Sequence, residues 1–499
     1  MGAFTALAEG FGFFLSDPFV FILVLFGVFF GMIFGCIPGL TAALGVSLLL
    51  PFTYTMSAGQ GIAMLIGIYV GGISGGLYGA TLLNIPGTPA SLVTCFDGHP
   101  MAKKGFASEA LTIGIFSSFL GGMVSMVLLA TIAPMLAKIA LMFGPWEYFS
   151  LGIMGLSVVV GLVSQDMIKG LIAAVIGVLL AMVGMDPVMG INRFTMGLWQ
   201  LSAGFPILAT LMGFFAFAEI LSQLKGLGVK AEIIPVQKKI RIFPPWETIK
   251  KSLKALTTGS LIGTGVGILP GVGQTTGSLL AYNQMRQMSK TPELFGTGHH
   301  EGIAVAETAN NAVNGGALVP MMTLGVPGDV VTSILLGGLI IHGLQPGPLL
   351  FRTNTELVGT MFVSFFFSNI IMFIMALVLV GVFIRMLRTP IHYLFPVILV
   401  MCVLGTFAVN NRVFDIWVLF GCGLLGYLVT QSGFPLPPII LGYILGPIIE
   451  MNFRTAIVSS RGDITEILHQ PISVGLLIVA LFFMVLPLLS ILRKKRSKT

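Results

Sequence analysis

The residues with the most to offer chemically are Pro-Gly pairs set in apolar sequence: Pro38-Gly39, Pro86-Gly87, Pro270-Gly271 and Pro327-Gly328. Proline has no N–H and leaves an upstream carbonyl without its helical partner. Glycine permits turns closed to other residues. Inside a bilayer such freed groups are costly unless they meet protein, water or an ion. A helix broken there offers N–H groups to an anion and loose carbonyls to a cation. The flanks add matching side chains. Thr41 follows the first pair, and Gly273, Gln274 and Thr275 follow the third. Asn84, Thr88 and Ser91 surround the second; Thr323, Asp329, Thr332 and Ser333 surround the fourth. Upstream of the fourth runs EGIAVAETANNAVNGG, carrying Glu301, Glu307, Asn310, Asn311 and Asn314. Hydroxyls and amides donate to carboxylates, and their oxygens ligate Na⁺. Asp329 and Glu307 are acids beside apolar segments, which makes them functional candidates by default.

These positions divide into two sets. Pro38, Gly39, Thr41, Asn84, Pro86, Gly87, Thr88, Pro270, Gly271, Gly273, Gln274, Thr275, Pro327 and Gly328 are expected to bind a substrate. Asn310, Asn311, Asn314, Thr323, Asp329 and Thr332 are expected to bind a cation, Na⁺ being the only metal in view. A Pro-Gly pair can equally be a plain kink, and a glycine face can be a packing surface. His299, His300 and Glu301 read as a solvated loop, His342 and Lys103-Lys104 as interfacial, and Asp166, Asp186 and Glu219 as helix-end groups.

Duplication tips the balance from kink to site. Aligning residue 31 with 263 matches Gly31/Gly263, Gly35/Gly267, Pro38/Pro270, Gly39/Gly271, Gly45/Gly277 and Leu48/Leu280. A second match, nine positions further out, pairs Gly75/Gly316, Leu83/Leu324, Pro86/Pro327 and Gly87/Gly328. A weaker third pairs Pro145 and Tyr148 with Pro390 and Tyr393. Interrupted apolar segments in corresponding positions of two halves are the sequence signature of a secondary-transporter site. The half-sites are not equal: Ala42-Ala43 stands where the second half has Gln274-Thr275, so the second half is expected to supply more of the coordination.

The elements that must position these residues are membrane helices. Of 499 residues, 56% are hydrophobic and 9% charged, with a mean hydropathy of +0.99. A soluble chain is about 25% charged. That excludes a soluble enzyme, a disordered chain and a nucleic-acid-binding domain. A spanning helix takes about 20 apolar residues, so the expectation is an all-α polytopic membrane protein of about 10–14 spans. Re-entrant or broken helices are expected in two repeats, inverted if the first half runs from outside to inside. The apolar runs are continuous, unlike the alternation of a membrane β-barrel. The 64 glycines are nearly twice the usual proportion of about 7%. The four cysteines, Cys36, Cys95, Cys402 and Cys422, share no metal-like spacing and read as packing.

Thirteen of the 26 basic residues lie in two clusters. One holds Lys225, Lys230, Lys238, Lys239, Arg241, Lys250, Lys251 and Lys254; the other holds Arg493, Lys494, Lys495, Arg496 and Lys498. The positive-inside rule places both in the cytoplasm. The expected organisation is a first transmembrane repeat over 1–222, a basic linker over 223–254, a second repeat over 255–450, and a final span with a basic tail over 451–499. No G-x-x-x-x-G-K-[ST] or H-E-x-x-H motif is present, so neither an internal ATPase nor a zinc protease is supported.

The strings GMIFGCIPGLTAALGVSLLLPFTY, LLNIPGTPASLVTCFDGHPMAKKG, GVGILPGVGQTTGSLLAYNQMRQ and ETANNAVNGGALVPMMTLGVPGD resemble the large membrane subunit of the tripartite tricarboxylate transporters. The resemblance runs through GFPLPPIILGYILGPIIEMNFRTAI and covers nearly the whole chain. It implies a non-enzymatic permease of the bacterial inner membrane, without cofactor. Its implied partners are a small membrane subunit and a periplasmic solute-binding protein. The implied function is import of a di- or tricarboxylate such as citrate by Na⁺ or H⁺ symport. Other readings stay open at this point: a binding-protein-dependent dicarboxylate transporter of the TRAP type, a membrane-embedded lipid-modifying enzyme, or a passive channel.

Overall fold

A computed structural model describes residues 2–163, 166–224, 233–236, 241–389 and 391–496. Lys225, Lys230, Lys238, Lys239, Pro390 and Lys498 lie outside the described residues. The helices are α1 (Ala3–Ser16), α2 (Phe19–Cys36), α3 (Ala42–Leu49), α4 (Ala58–Leu83), α5 (Thr94–Met101), α6 (Ala107–Ala140) and α7 (Pro145–Val163). They continue as α8 (Met167–Ala181), α9 (Ile207–Met212), α10 (Ala218–Gln223), α11 (Trp246–Ile268), α12 (Gly273–Met288), α13 (His300–Leu324) and α14 (Val330–Ile341). The remainder are α15 (Leu350–Thr353), α16 (Thr355–Val378), α17 (Val380–Met386), α18 (Ile391–Asn410), α19 (Val413–Gln431), α20 (Leu436–Ser459) and α21 (Pro471–Arg496). Strand structure among the described residues is one two-residue antiparallel hairpin, pairing Gly184 with Arg193 and Met185 with Asn192.

Eight helices among the described residues are long and apolar enough to cross a membrane, and six shorter apolar helices have 10–17 residues. The chain is thus an all-α polytopic membrane protein. Helices α11 and α13 are long enough but too polar to be among the eight. In α13 the polarity is internal: almost every residue from Gly302 to Thr323 is buried. The expected basic linker ends earlier than its composition suggests. After Pro244-Pro245 the chain is already helical, so Lys250, Lys251 and Lys254 belong to α11. His299 to Glu301, expected in a loop, start α13, with His299 Nδ1 accepting from the Glu301 N–H at 3.1 Å. All four cysteines are buried and free.

The chain forms two compact units. The first comprises residues 1–137, 222–268 and 273–405. Its sequence repeat is also a repeat of contacts. A Cβ placed on Gly31 of α2 would come within 2.3 Å of the Ile68 carbonyl of α4; one on Gly263 of α11 would come within 2.4 Å of the Ala309 carbonyl of α13. A Cβ on Gly35 would come within 2.0 Å of the Gly72 carbonyl, and one on its counterpart Gly267 within 2.5 Å of that of Val313. Each partner residue sits at the offset of the sequence match. Only glycine lets helix backbones approach so closely, as small residues do in membrane helix pairs.

The helix ends repeat too. Asn84 stops α4 with φ +56° and Gly325 stops α13 with φ +70°; both lie in the left-handed region. The N–H of Ile85 reaches the Gly79 carbonyl, and that of Val326 reaches the Pro320 carbonyl, at 3.4 and 3.3 Å. Both are six-residue closures of the kind that ends helices. The tip beyond then packs on the crossing helix. A Cβ on Gly87 would strike the Gly35 carbonyl at 2.0 Å, and one on Gly328 the Gly267 carbonyl at 2.6 Å.

The second unit comprises residues 138–221, 269–272 and 406–499. Its glycines again seat helix on helix: Gly177 of α8 faces the Ile439 carbonyl of α20, and Gly442 of α20 faces that of Ala174. A four-charge network ties the hairpin to α20. Arg193 binds Glu450 at 2.5 and 3.1 Å. Arg454 binds both carboxylate oxygens of Asp186, at 3.0 and 2.8 Å. The backbone N–H of Met189, then that of Val188 and the Arg454 guanidinium, hold the Asp186 carboxyl down to about 2.

The crossings and the network make separate expectations. Gly31→Val and Gly263→Val each should destabilise the detergent-solubilised chain by about 1–3 kcal/mol in thermal unfolding. Gly265→Ala, where nothing lies within 4 Å, should be neutral or slightly stabilising. Equal melting of all three would contradict the packing. For Asp186 the folded form has the depressed titration, so its contribution is present above about pH 4 and is lost as pH falls toward 2. Melting of wild type and Asp186→Asn should therefore differ at neutral pH and converge on acidification; a constant gap across that range would contradict it.

Candidate substrate and cation site

All four Pro-Gly pairs lie in breaks. Residues 37–41 separate α2 from α3, and 269–272 separate α11 from α12; 84–88 and 325–329 follow α4 and α13. Gly39 and Gly271 turn the chain with φ +88° and +70°. Thr41 caps α3, its hydroxyl accepting from the Leu44 N–H at 3.1 Å. In the last break Asp329 caps α14: its Oδ1 accepts from the Thr332 N–H and hydroxyl, both at 2.6 Å. Thr332 Oγ1 in turn accepts from the Asp329 N–H at 2.9 Å. The second break holds the weaker counterpart, the Thr88 N–H donating to Ser91 Oγ at 3.4 Å.

Asp329 is the centre of what the first unit brings together. It is 1% exposed. Its Oδ2 accepts from the Tyr69 hydroxyl of α4 at 2.5 Å and from the Gln274 amide of α12. Gln274 Nε2 also lies 2.9 Å from Tyr69 Oη and 3.1 Å from Asn314 Oδ1 of α13. One amide group has two protons, and three oxygens from three elements converge on it. The arrangement has a formal negative charge, neutral partners throughout, and no ion pair to Asp329 among the described residues. An oxygen-rich, anionic centre of this kind suits a small cation, which could replace the amide at the point of convergence.

The other predicted residues are placed as follows. Asn310 and Asn311 join a second buried cluster around Glu307, described below. Thr323 is turned away from Asp329, its hydroxyl donating to the Val319 carbonyl of its own helix at 2.8 Å. Asn84 is exposed and serves as the helix stop. Pro38, Gly39, Thr41, Pro86, Gly87 and Thr88 shape the breaks of the first half and make no hydrogen bond to Asp329. Gly273 lies against Asp329, and Pro327 and Gly328 lead into it, whereas Thr275, one residue beyond Gln274, is not among its partners. Pro270 and Gly271 group with the second unit, where Gly271 faces Val159 and Leu441. A cleft of about 550 Å³ in the second unit, lined in part by Trp146, Glu147, Ser460 and Arg461, contains none of the predicted residues.

Sequence reasoning missed Tyr69 and Asp97. The signal for Tyr69 was available, because the offset of the repeat sets it opposite Asn310. Asp97 had no such signal. Its buried carboxylate gathers the N–H groups of Gly296, Gly298 and His299 at 3.0, 2.8 and 2.7 Å and the Tyr282 hydroxyl at 2.6 Å. It thereby fixes the loop that starts α13.

The Tripartite tricarboxylate transporter TctA family matches the chain over residues 21–441. A protein of Agrobacterium vitis, described as an uncharacterized 52.8 kDa protein in the TAR-I ttuC' 3'region, is 36% identical over 453 residues, which is 91% of this chain and 90% of that protein. A second protein of the same organism, described as an uncharacterized protein in the TAR-II ttuC' 3'region, is 35% identical over 236 residues, 47% of this chain and 98% of its own length. No solved structure matches. With most of the chain inside one family match and its repeated breaks in place, the chain belongs to the tripartite tricarboxylate transporter TctA family.

Proposed function

We propose that this chain is the carboxylate-moving subunit of a secondary active transporter of the bacterial inner membrane. It imports a di- or tricarboxylate handed over by a periplasmic solute-binding protein, together with Na⁺ or H⁺, and works beside a small membrane subunit. The observation that carries this reading is Asp329: a buried carboxylate at a broken helix, ringed by neutral groups of α4, α12, α13 and α14.

A lone anion so deep in an apolar protein favours a cation beside it. Tyr69, Gln274, Asn314, Asp329 and Thr332 supply its oxygens. The cation in turn offsets the charge of an incoming carboxylate, so the two are taken up together. Helix starts at the breaks, above all those of α3 and α12, present N–H groups to the substrate. The two halves are inverted in the membrane, and alternating access comes from one body moving against another around this centre. The C-terminal tail lies in the cytoplasm.

Proteoliposomes containing the transporter with its membrane partner and binding protein should accumulate labelled citrate or another carboxylate only under a cation gradient. Uptake indifferent to collapse of every gradient would contradict the proposal. Tyr69→Phe and Gln274→Ala each remove a hydrogen bond to a charged group, worth about 1.5–3 kcal/mol. Initial uptake per folded molecule should fall roughly tenfold or more in each, with melting in detergent lowered by no more than that loss accounts for; unchanged uptake would place the site elsewhere.

A further inference from the structure

Glu307 is a second fully buried carboxylate in the first unit, and the cation site does not use it. Glu307, Asn310, Asn311 and Asn314 share one face of α13, at i, i+3, i+4 and i+7. Asn314 belongs to the Asp329 centre, so the face runs from one carboxylate toward the other. Glu307 Oε1 accepts from the Thr94 hydroxyl of α5 at 2.5 Å. Its Oε2 accepts from the Ser118 hydroxyl of α6 at 2.8 Å and the Asn310 amide at 3.3 Å.

Among the described residues, no basic side chain pairs with this carboxylate. From α5 the Cys95 thiol faces it, while Asp97 is held by Tyr282 and backbone N–H groups, and His99 by the Thr81 carbonyl. From α4, Tyr69 is committed to Asp329 and the Tyr78 hydroxyl to the Ala376 carbonyl. On α6, Glu109 pairs with His300. The basic side chains of α11, α12 and α15 are exposed. Glu301, at the start of α13, accepts from Ser289.

The two carboxylates differ in what surrounds them. Asp329 caps a helix and receives a backbone N–H, a donor that cannot reverse, together with the favourable end of the helix dipole. Glu307 lies inside a helix, away from both ends. Its two shortest contacts are hydroxyls, which donate to a carboxylate and accept from a carboxylic acid equally well. Such a site can hold both protonation states without moving its neighbours. The partners thus divide the two carboxylates: Asp329 is bound by a fixed backbone donor, Glu307 by hydroxyls that can reverse.

We propose that Glu307 is the proton-carrying residue of the transport cycle: it takes one proton from the side on which substrate loads and releases it on the other, while Asp329 serves as the cation ligand. No bond of the substrate changes. The proposal rests on the transport reading above for its role in coupling, but the protonation itself can be read independently.

Two measurements on the intact protein test it. Infrared spectra of the purified full chain, titrated upward from neutral pH where ordinary carboxyls are already ionised, should show a protonated-carboxyl band that disappears at high pH and is absent in Glu307→Gln. In proteoliposomes of the complete transporter, Glu307→Gln should keep citrate/citrate exchange but lose at least tenfold of the citrate accumulation driven by a pH gradient. Thr94→Val removes a donor to the charged form, so both the band and the wild-type-like uptake should titrate at higher pH than in wild type. A titrating band that persists in Glu307→Gln, or pH-driven accumulation equal to wild type in that variant, overturns the proposal. Should wild type move no carboxylate at all, the transport reading fails, and the infrared band alone decides the proton site.

Discussion

Everything in the first unit depends on helix backbones meeting without side chains between them. At Gly31 and Gly35, and again at Gly263 and Gly267, carbonyls of the crossing helix occupy the space a methyl group would need. The tip after each crossing helix then folds back, with Gly87 and Gly328 against the carbonyls of Gly35 and Gly267. The tips of the second and fourth breaks are therefore seated on backbone, with Gly87 and Gly328 buried against the crossing helix. In a membrane that is the condition under which a non-helical segment survives. The glycine excess is the cost of that arrangement, since glycine weakens a helix by about 1 kcal/mol relative to alanine.

The same frame carries different chemistry in its two halves. The positions of α4 that match Glu307, Asn310, Asn311 and Asn314 are Ile66, Tyr69, Val70 and Ile73. All four are buried, so the first half has an apolar stripe where the second has a polar one, interrupted only by Tyr69. That residue crosses to the Asp329 centre and completes it. Duplication supplied the scaffold, and divergence placed Glu307 and Asp329 in the second half, opposite Ile66 and Thr88 of the first. Leaving those two counterparts uncharged avoids two further buried acids, each of which would carry a large desolvation cost.

Much of this was legible in the sequence. The class followed from 9% charge, and the breaks followed from Pro-Gly pairs whose backbone chemistry has few other uses in an apolar chain. Asp329, Asn314 and Thr332, expected as cation ligands, and Gln274, expected as a substrate residue, stood out as candidates because polar residues beside such breaks are expensive, and the fold brings them together. Tyr69 was hidden because a tyrosine in a Gly-rich apolar helix is ordinary packing until its hydroxyl finds a partner 260 positions away. Thr323 misled for the opposite reason: a helical threonine can satisfy itself on the preceding turn, and this one does. Lys250 to Lys254 were misassigned to a linker because charge density outweighed the helix-start signal of Pro244-Pro245. Asp97 organises backbone N–H groups, which no residue pattern announces.

The central claim is that a cation at Asp329 and a carboxylate substrate bind as a linked pair. The most direct measurement is equilibrium binding of labelled citrate to the purified full chain, with and without Na⁺ and across pH, in wild type and Asp329→Asn. Binding should strengthen with cation in wild type and lose that dependence in Asp329→Asn. A cation dependence that survives unchanged in Asp329→Asn would contradict it.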